Sequence, residues 1–589
     1  MISLLKYLRK KDWLFIFIVI GLIVAQVWLE LTMPDYTKNL TTIVQTESED
    51  MGEVWRNGGM MLLCAFGSMA SAVLCSFLVA SVASSMSRNI RTALFSRISS
   101  FSNKEMHTFH IASLITRTTN DVVQVQNFMA MGLQMLIKAP IMAVWAILKI
   151  SATQVSWMAA TIISIGAILI DVFIVIATCL PKFRRIQKLT DDLNARAREN
   201  ITGVRVIRAF NAEEYQSQKY EAVNNNITNT NLFTSRITST LSPVLTLAMN
   251  GLILAIYWIG ALLINDIKLN PADPTSIQPG ILERVTILGD MVVFSQYAIQ
   301  VVMSFMMLIF IFIILPRVLI SAKRIKEVLQ TEPTIVDGDK NDIQNGDIEF
   351  KDVGFSYGGD DHYAIKNINL QIKQGETVAF IGATGCGKTT LINLLMRYFD
   401  TGKGQILIGG ENIKDHTLDS LRNLFSYAPQ KASLFKGTVQ SNVTYGSKEV
   451  DSAKMEKSLQ IAQCGFVQDL EKGLDNEVAQ GGTNYSGGQK QRISIARAVY
   501  KDAPIFIFDD TFSALDYKTD MLVRKGIKEN LSDRTVIIVA QRIGTIKNAD
   551  KIVVMENGQI ADIGTHEELL KSSSIYQEIA SSQLDKEEL

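Results

Sequence analysis

The sequence predicts a chain of two parts, an α-helical membrane domain followed by an α/β domain that carries a phosphate-binding loop. Three observations support this prediction. Six long apolar stretches lie in the first half of the 589 residues. From Asp347 onward, short β-rich runs alternate with helical ones, which is typical of an α/β domain on a largely parallel sheet. Within that part, a strand-like apolar run leads into the glycine-rich stretch Gly382 to Thr389.

Each apolar stretch is long enough to cross a bilayer, which takes about 20 residues. The predicted spans are Trp13–Met33, Gly59–Val82, Phe128–Ile150, Val155–Leu180, Leu241–Ile264 and Ile287–Leu315. A cleaved signal peptide is a poor interpretation of the first, because its apolar run is too long and more spans follow. The basic residues before the first span are Lys6, Arg9, Lys10 and Lys11. This basic flank places the amino terminus in the cytoplasm, and an even number of spans returns the chain there.

Two connections between spans, at about 84–127 and 182–240, are long and almost free of Gly and Pro. Such composition favours continuous helices that leave the membrane and return. About 20 residues out and 20 back, at 1.5 Å per residue, would form cytoplasmic arms that reach roughly 30 Å. We therefore expect a membrane domain at 1–330, a linker at 331–346 that contains Pro333, and the second domain at 347–589.

Three ionisable residues fall inside the predicted spans: Glu30, Lys138 and Asp171. Charge inside a membrane is costly and indicates a functional or cavity-facing position by default. Lys138 and Asp171 lie at comparable depths on neighbouring spans, so we expect a structural ion pair, with a proton or substrate site as the alternative. The last span is enriched in Met303, Phe305, Met306, Met307, Phe310 and Phe312. These soft side chains suit a pocket for varied apolar shapes, or equally a packing or lipid-facing surface.

The glycine-rich stretch has the residues that phosphate binding requires. Gly382, Gly385 and Gly387 leave the N–H groups of the turn free to face phosphates at the start of the next helix. Lys388 can place a positive charge at the β- and γ-phosphates, and the Thr389 hydroxyl can ligand Mg²⁺. The candidate nucleotide-binding residues of this loop are Gly382, Ala383, Thr384, Gly385, Cys386, Gly387, Lys388, Thr389 and Thr390. The stretch therefore predicts binding of ATP with Mg²⁺.

Further candidates follow along the second domain. Tyr357 could stack on adenine, although most such tyrosines are core or surface residues. Gln430 could reach the metal or an attacking water. Ser486, Gly487, Gly488 and Gln489 open a helical run and form a second anion-binding helix start. The apolar run Ile505–Phe508 predicts a buried strand, at whose end Asp509 can hold Mg²⁺ through water and Asp510 follows.

Composition excludes some other classes of function. The formal net charge is zero, which gives no electrostatic case for nucleic-acid binding. The five cysteines show no paired spacing and are interpreted as reduced thiols.

Together these motifs resemble those of the ATP-binding cassette (ABC) transporters. They match Walker A (Gly382 to Thr389), the Q-loop (Gln430), the signature (Tyr485 to Gln489), Walker B (to Asp509) and the D-loop (Ser513 to Asp516). The six spans resemble the exporter type, which fuses one membrane domain to one cassette domain. The resemblance implies that two cassettes meet head to tail, with each ATP between the Walker A of one chain and the signature of the other. It also implies coupling-helix regions at Leu114 to Asp121 and Gly203 to Tyr215, at the tips of the arms and near the Q-loop.

Two departures from the family pattern affect catalysis. The family has a glutamate after the Walker B aspartate, as the base that polarises the attacking water, where this chain has Asp510. The family also has a histidine in the switch loop that contacts the γ-phosphate, where this chain has Gln541. Glutamine can form hydrogen bonds but cannot carry a positive charge. A milder departure is Tyr485, where leucine is usual. Asp510, Gln541 and Gln430 are thus the candidate catalytic residues.

The resemblance therefore implies the degenerate subunit of a heterodimeric exporter, particularly of the bacterial multidrug type. Its own site would bind ATP but hydrolyse it slowly, while its signature completes a competent site on a partner chain that supplies Glu and His. The cargo would be hydrophobic or amphipathic compounds. The alternatives are a lipid or peptide exporter of the same family, and an ATP-binding sensor that does not transport. The protein is expected in the cell membrane with its cassette in the cytoplasm.

Overall fold

The computed structural model describes residues 2–45, 51–151, 155–267, 274–358 and 362–583. Contacts divide the chain into two compact units. The first, here called the membrane unit, comprises Met1–Ser99 and Ile111–Thr331. The second, here called the nucleotide unit, comprises Ser100–His110 and Glu332–Leu589.

The membrane unit is entirely helical in its described part. Its α-helices are α1 (Lys10–Gln45), α2 (Met51–Ser99), α4 (Ile111–Thr116), α5 (Val122–Asn127), α6 (Leu133–Ser151), α7 (Val155–Thr202), α8 (Val204–Ala209), α9 (Glu213–Thr238), α10 (Leu241–Asp266) and α11 (Pro274–Gln330), and the intervening α3 (Asn103–Phe109) belongs to the nucleotide unit. A 3₁₀ helix at Ile2–Tyr7 and π-helical segments at Arg117–Asp121 and Phe128–Gly132 complete it. Within the described residues, six helical segments are long and apolar enough to cross a membrane. The six predicted spans are confirmed.

The charged residues of the spans pair differently from the prediction. The Lys138 ammonium donates to Glu30 Oε1 at 2.9 Å, and Ser68 Oγ donates to the same oxygen at 3.2 Å. Asp171 instead accepts a hydrogen bond from Thr240 Oγ1 at 3.1 Å. The expected Lys138–Asp171 pair is therefore wrong, because a common depth does not place two side chains on facing sides of their helices. A structural ion pair does form, but its acid is Glu30.

The Met- and Phe-rich part of α11 is mixed in its exposure. Phe305 and Met306 are half-buried and pack against the core of the membrane unit. Met303 and Phe310 are exposed in the described chain. The Phe312 side chain lies outside the described set. The packing interpretation is confirmed for Phe305 and Met306, and the choice between a pocket and a lipid-facing surface stays open for Met303 and Phe310.

The tip of the first arm is the short helix α3, not the predicted Leu114 to Asp121. Ser102 and Glu105 form a capping box that starts α3, and His110 ends it with a φ of 57°. Leu114 to Asp121 continue the third span within the membrane unit. The predicted position, which the family resemblance implied, was wrong, because the Ser102–Glu105 capping box starts a separate short helix before it, in a stretch without Gly or Pro. In the second arm, α8 lies inside the predicted region Gly203 to Tyr215 and has no buried residue.

Helix α3 is fastened within the nucleotide unit through the buried Glu105. Its carboxylate accepts hydrogen bonds from the Ser102 backbone N–H at 2.8 Å and from Thr334 Oγ1 at 2.8 Å. Burial opposes ionisation, but these hydrogen bonds together hold the pKa of Glu105 below its ordinary value. Glu105 is therefore a carboxylate that ties α3 to the segment leading into the cassette.

The nucleotide unit is an α/β fold with two main sheets. Its strands are β1 (Ile348–Phe355), β2 (Ile365–Ile372), β3 (Thr377–Ile381), β4 (Lys403–Ile408), β5 (Glu411–Asn412), β6 (Phe425–Ala428), β7 (Gly437–Thr438), β8 (Glu477–Val478), β9 (Ile505–Asp509), β10 (Thr535–Val539), β11 (Lys551–Glu556) and β12 (Gln559–Gly564). Besides α3, its helices are α12 (Lys388–Leu395), α13 (Leu418–Asn423), α14 (Val439–Val443), α15 (Ser452–Ile461), α16 (Gly487–Lys501), α17 (Tyr517–Asn530), α18 (Ile543–Ile546), α19 (His566–Ser572) and α20 (Ser574–Ser581).

The six-stranded sheet has the order β12-β11-β3-β10-β9-β6, and all of its pairs except β11–β12 are parallel. This confirms the predicted α/β domain. A second sheet, β2-β1-β4-β5, is antiparallel and was not predicted. Strands β3, β9 and β10 are neighbours, so their carboxyl ends meet at one edge. The loops that follow these three strands carry the site described next.

Candidate nucleotide-binding site

The glycine-rich loop joins β3 to α12, as its sequence predicts. At Gly382, with a φ of 152°, an added Cβ would lie 2.1 Å from the Met555 carbonyl oxygen, so only glycine fits. Gly387 precedes α12 with a φ of 103°, in the left-handed region that favours glycine. The loop can therefore turn its N–H groups inward at the positive end of α12, an arrangement that binds phosphate.

The Lys388 ammonium is buried and held over this loop. It donates to the carbonyl oxygens of Gly382 at 2.7 Å and Ala383 at 2.9 Å. The Cys386 thiol lies 3.5 Å from the same nitrogen. Among the described residues the ammonium forms no ion pair with a carboxylate, so it places a positive charge beside the loop. That charge is available to the phosphates of a nucleotide.

Asp509 ends β9 and faces the start of α12. Its Oδ1 accepts a hydrogen bond from Thr389 Oγ1 at 3.2 Å, and its Oδ2 accepts one from the Tyr427 hydroxyl at 3.4 Å. Burial raises the pKa of Asp509; the Thr389 hydrogen bond opposes this rise and the neighbouring Asp510 adds to it. A hydroxyl and a carboxylate side by side are oxygen ligands of the kind that Mg²⁺ prefers.

Asp510 lies beside the two glutamines that the sequence singled out. Gln541 Nε2 donates to Asp510 Oδ2 at 2.8 Å, and Gln430 Nε2 donates to the same oxygen at 3.0 Å. Asp510 has a φ of 46°, and its N–H donates to the Val539 carbonyl at 2.9 Å. The three predicted catalytic side chains therefore form one connected group, with both amides on a single carboxylate oxygen.

Tyr357 stands on a small aromatic cluster. Its ring packs edge-on against Phe355 and Phe399, with centroids 4.9 and 5.2 Å away. Its hydroxyl lies 3.0 Å from Thr390 Oγ1, at the start of α12. Tyr357 is 55 % exposed, so it is open to contact by a ligand. A supported, exposed aromatic ring beside the phosphate loop is suited to stacking on a base.

The signature residues start α16 on a different part of the unit. Ser486 caps the helix, with its Oγ accepting from the Gln489 N–H at 3.3 Å while its own N–H donates to Gln489 Oε1 at 2.9 Å. Among the described residues, no hydrogen bond joins the signature to the phosphate loop. Tyr485 is buried, and its hydroxyl accepts from Asn476 Nδ2 at 2.9 Å. The tyrosine therefore belongs to the core beneath the signature.

Sequence reasoning gave no role to two residues that position Gln430. Gln491 Nε2, on the signature helix α16, donates to the Pro429 carbonyl at 2.9 Å. Thr511 Oγ1, which follows Asp510, donates to the Ala428 carbonyl at 3.0 Å. Both side chains are buried. Tyr427, which donates to Asp509, was also given no role. Apart from their nearness to the motifs, no sequence signal marks these three residues.

Comparison with known proteins agrees with this arrangement. The family model described as ABC transporter transmembrane region matches residues 15–278, and the one described as ABC transporter matches residues 365–513. An uncharacterised ABC transporter ATP-binding protein of Mycobacterium tuberculosis is 34% identical over 533 residues, which are 89% of this chain and 87% of that protein. The chain belongs to the ABC transporter family. It is an ABC exporter that carries its membrane domain and its ATP-binding domain in one polypeptide.

Two further relatives extend the comparison across the whole exporter. A protein named ATP-dependent lipid A-core flippase, of Hahella chejuensis, is 30% identical over 583 residues, 97% of this chain and 95% of that protein. The structure of a bacterial Atm1-family ABC exporter with ATP bound superimposes with a TM-score of 0.79 at 22% identity, covering 98% of this chain and 99% of that one. This similarity shows that the ABC exporter described here shares the fold of that protein. ABC transporter ATP-binding domains couple ATP hydrolysis to transport, so the chain takes part in ATPase-coupled export.

Proposed function

We propose that this ABC exporter chain is the degenerate-site subunit of a heterodimer that exports hydrophobic or amphipathic compounds. Its own Walker residues bind ATP and hydrolyse it poorly, and its signature completes the competent site of a partner chain. That partner supplies the glutamate and histidine that this chain lacks. We further propose that the amino terminus and the cassette are cytoplasmic, with residues 331–346 as the linker between a membrane domain at 1–330 and a cassette domain at 347–589.

The observation that carries this proposal is the environment of Asp510. Its carboxylate is one methylene shorter than a glutamate, which draws it back by about 1.5 Å, the length of a C–C bond. A misplacement of about 1 Å can cost a hundredfold in rate. In addition, Oδ2 accepts hydrogen bonds from both Gln430 and Gln541, so its lone pairs are directed at amides. Oδ2 is thereby occupied by two amide donors and is not free to accept a hydrogen bond from the attacking water.

The nucleotide-holding residues, in contrast, support binding. The loop backbone and Lys388 surround the phosphates, and Tyr357 offers a face to the base. Mg²⁺ would be held by the Thr389 hydroxyl, by Asp509 through water and by Gln430 Oε1, and it would neutralise phosphate charge. Gln541 can donate a hydrogen bond to the γ-phosphate but brings no positive charge to it.

The signature supports a role for a second chain. Ser486, Gly487 and Gly488 retain the anion-binding helix start, and within the described residues no hydrogen bond joins that helix start to the chain's own phosphate loop. An ATP bound at the loop therefore leaves the signature free for a nucleotide held by another cassette. This arrangement favours the head-to-tail pairing that the family resemblance implies.

A lipid exporter is the second candidate for the cargo. Its support is the 30% identity, over almost the whole chain, to a protein named as a lipid A-core flippase. A peptide exporter and a non-transporting sensor remain further alternatives. Uptake of a fluorescent amphipath into inside-out vesicles distinguishes a sensor, because a sensor would show no uptake in any nucleotide state.

The proposed heterodimer is tested by co-purifying the chain with a candidate second cassette protein and then measuring ATPase activity. We expect low ATPase activity from the chain alone and high activity from the pair. In the pair, replacing the partner's Walker B glutamate by glutamine should abolish most turnover, whereas Asp510→Asn in this chain should have little effect. Brisk ATP hydrolysis and transport by the purified chain without a partner would disprove the proposal.

A further inference from the structure

A cavity of about 300 Å³ lies between the third and sixth spans of the membrane unit. Its walls come from α5, the π-helical segment at Phe128–Gly132, α6 and α11. This volume is near the lower end of the range of small-molecule pockets. At the end of the π-helical segment, an added Cβ at Gly132 would lie 2.8 Å from the Phe128 ring. Gly132 thus lets that ring fold over the backbone and form one wall. Single-turn π-helices occur often at functional sites.

The cavity is polar at one end and apolar at the other. Gln124, Asn127 and Arg317 line the polar end, and Phe128, Met131 and Phe310 are among the residues of the apolar end. Along the sequence, the polar residues lie just outside the apolar runs Phe128–Ile150 and Ile287–Leu315, and the apolar residues lie just inside them. Such a gradient matches the boundary between lipid tails and head groups, and it fits a ligand with one apolar and one polar end.

The charge of the polar end is positive. Two other arginines nearby in sequence are matched to acids: Arg117 pairs with Glu327 at 2.9 Å, and Arg324 pairs with Asp121 at 3.4 Å. Arg317 forms no ion pair with a carboxylate anywhere in the part of the chain that the structure describes. Its guanidinium carries five N–H donors and no acceptor, and the amides of Gln124 and Asn127 add further donors. The complement of this set is an anionic head group with several oxygens.

We propose that this cavity binds a single-chain amphiphile with an anionic head, such as an alkyl phosphate. The head contacts Arg317, Gln124 and Asn127, and the chain lies against Phe128, Met131 and Phe310. This inference rests on the proposed export of amphipathic compounds. It adds that anionic amphiphiles are the preferred class of cargo. A cationic amphiphile of the same length would gain the apolar contacts but would be repelled by the guanidinium.

Photolabelling of the full-length chain, purified with its partner in phosphatidylcholine nanodiscs without ATP, tests the site. The probe is dodecyl phosphate with a photoactivatable chain, and mass spectrometry maps the labelled peptides. Unlabelled dodecyl phosphate, dodecyltrimethylammonium and inorganic phosphate are the competitors. We expect labels in 128–135 and 310–314. Dodecyl phosphate should compete at concentrations about tenfold lower than the ammonium compound, and inorganic phosphate should not compete because it has no chain.

Variants separate the head contact from the chain contact. Arg317→Gln should raise the half-inhibitory concentration of dodecyl phosphate about tenfold, and Arg317→Lys should give an intermediate value because it keeps charge without the planar fork. Lys323→Gln makes the same charge change at an exposed residue of α11 outside the cavity and should have no effect. Met131→Gln, at an exposed wall residue, should weaken both dodecyl compounds alike.

Labels outside these two segments, equal competition by the two dodecyl compounds, or identical behaviour of Arg317→Gln and Lys323→Gln would overturn the proposal. The last result would leave Arg317 as an interfacial anchor. The export function is measured separately, as ATP-dependent uptake of a fluorescent amphipath. If uptake occurs but labelling does not depend on Arg317, only the proposed site is refuted. If labelling depends on Arg317 but no uptake occurs, only the proposed export is refuted.

Discussion

The candidate nucleotide site has a proposed phosphate-holding side, Gly382 to Thr390, and a proposed hydrolytic side, Asp510 with Gln430 and Gln541, and the two sides are built differently. On the first side, an ammonium rests on backbone carbonyls and can move to a phosphate. On the second, a carboxylate is already engaged by two amides. This difference predicts that nucleotide binding and hydrolysis can be changed separately in this domain, because the two proposed sides use different side chains.

The largest expected effect comes from rebuilding the hydrolytic side. Asp510→Glu combined with Gln541→His should raise ATP hydrolysis at this chain's site by about a hundredfold, because it restores both the reach of the base and a side chain that can carry positive charge. The measurement is the ATPase rate of the pair after the partner's Walker B glutamate has been replaced by glutamine.

Each single substitution is the control for that double change, and Lys388→Met in the same background should remove the gain. If the double variant hydrolyses ATP as slowly as the unmodified chain, Asp510 and Gln541 are not the cause of slow hydrolysis. The proposed difference between the two sides would then be wrong.

A smaller effect is expected on the phosphate-holding side. Lys388→Met should weaken ATP binding at this site about thirtyfold, since a hydrogen bond to a charged group contributes about 1.5–3 kcal/mol. Binding of a fluorescent ATP analogue to the pair, with the partner's Walker A lysine replaced, measures this. Lys366→Met, at an exposed lysine of β2, is the matched control and should leave the affinity unchanged. Unaltered binding by Lys388→Met would show that the loop backbone holds the phosphates without the ammonium.

Base stacking should contribute less. Tyr357→Ala should weaken ATP binding about tenfold, because stacking of a base on an aromatic ring contributes about 1–3 kcal/mol. Tyr357→Phe keeps the ring and loses only the hydroxyl near Thr390, so it should bind almost as tightly as the unmodified chain. Equal affinities of the alanine and phenylalanine variants would contradict a stacking role and leave Tyr357 as a packing residue of the Phe355–Phe399 cluster.

The sequence predicted the order of elements better than the partners of individual side chains. Apolar run length predicted the six spans, and the strand-loop-helix order predicted β3, the glycine loop and α12, because both signals are local. The Lys138–Asp171 pair failed because pairing depends on which helix faces meet, and Glu30 lies more than a hundred residues from Lys138 along the chain. The tip at α3 was missed because its signal is a capping box, Ser102 with Glu105, inside a stretch that otherwise favours helix.

The smallest predicted effect concerns the connection between the hydrolytic side and the signature helix. Gln491 holds the Pro429 carbonyl, and the next residue, Gln430, reaches Asp510. Gln491→Met keeps the shape of the side chain but leaves that partly buried carbonyl without its donor, which costs about 1 kcal/mol. We expect the Mg²⁺ concentration for half-maximal ATP trapping at this site to rise about fivefold, with ATP affinity in the absence of Mg²⁺ unchanged, because Gln430 and not the phosphate loop loses its support.

Ser494 provides the matched control on the same helix. Its hydroxyl is buried and has no hydrogen-bond partner among the described residues, so Ser494→Ala should leave the Mg²⁺ dependence where it was. Thr511→Val removes the hydrogen bond to the Ala428 carbonyl. It should therefore raise the Mg²⁺ concentration for half-maximal trapping, as Gln491→Met does. If Gln491→Met instead weakens ATP binding with and without Mg²⁺ alike, the hydrogen bond stabilises the unit as a whole. The signature helix would then have no specific role in positioning Gln430.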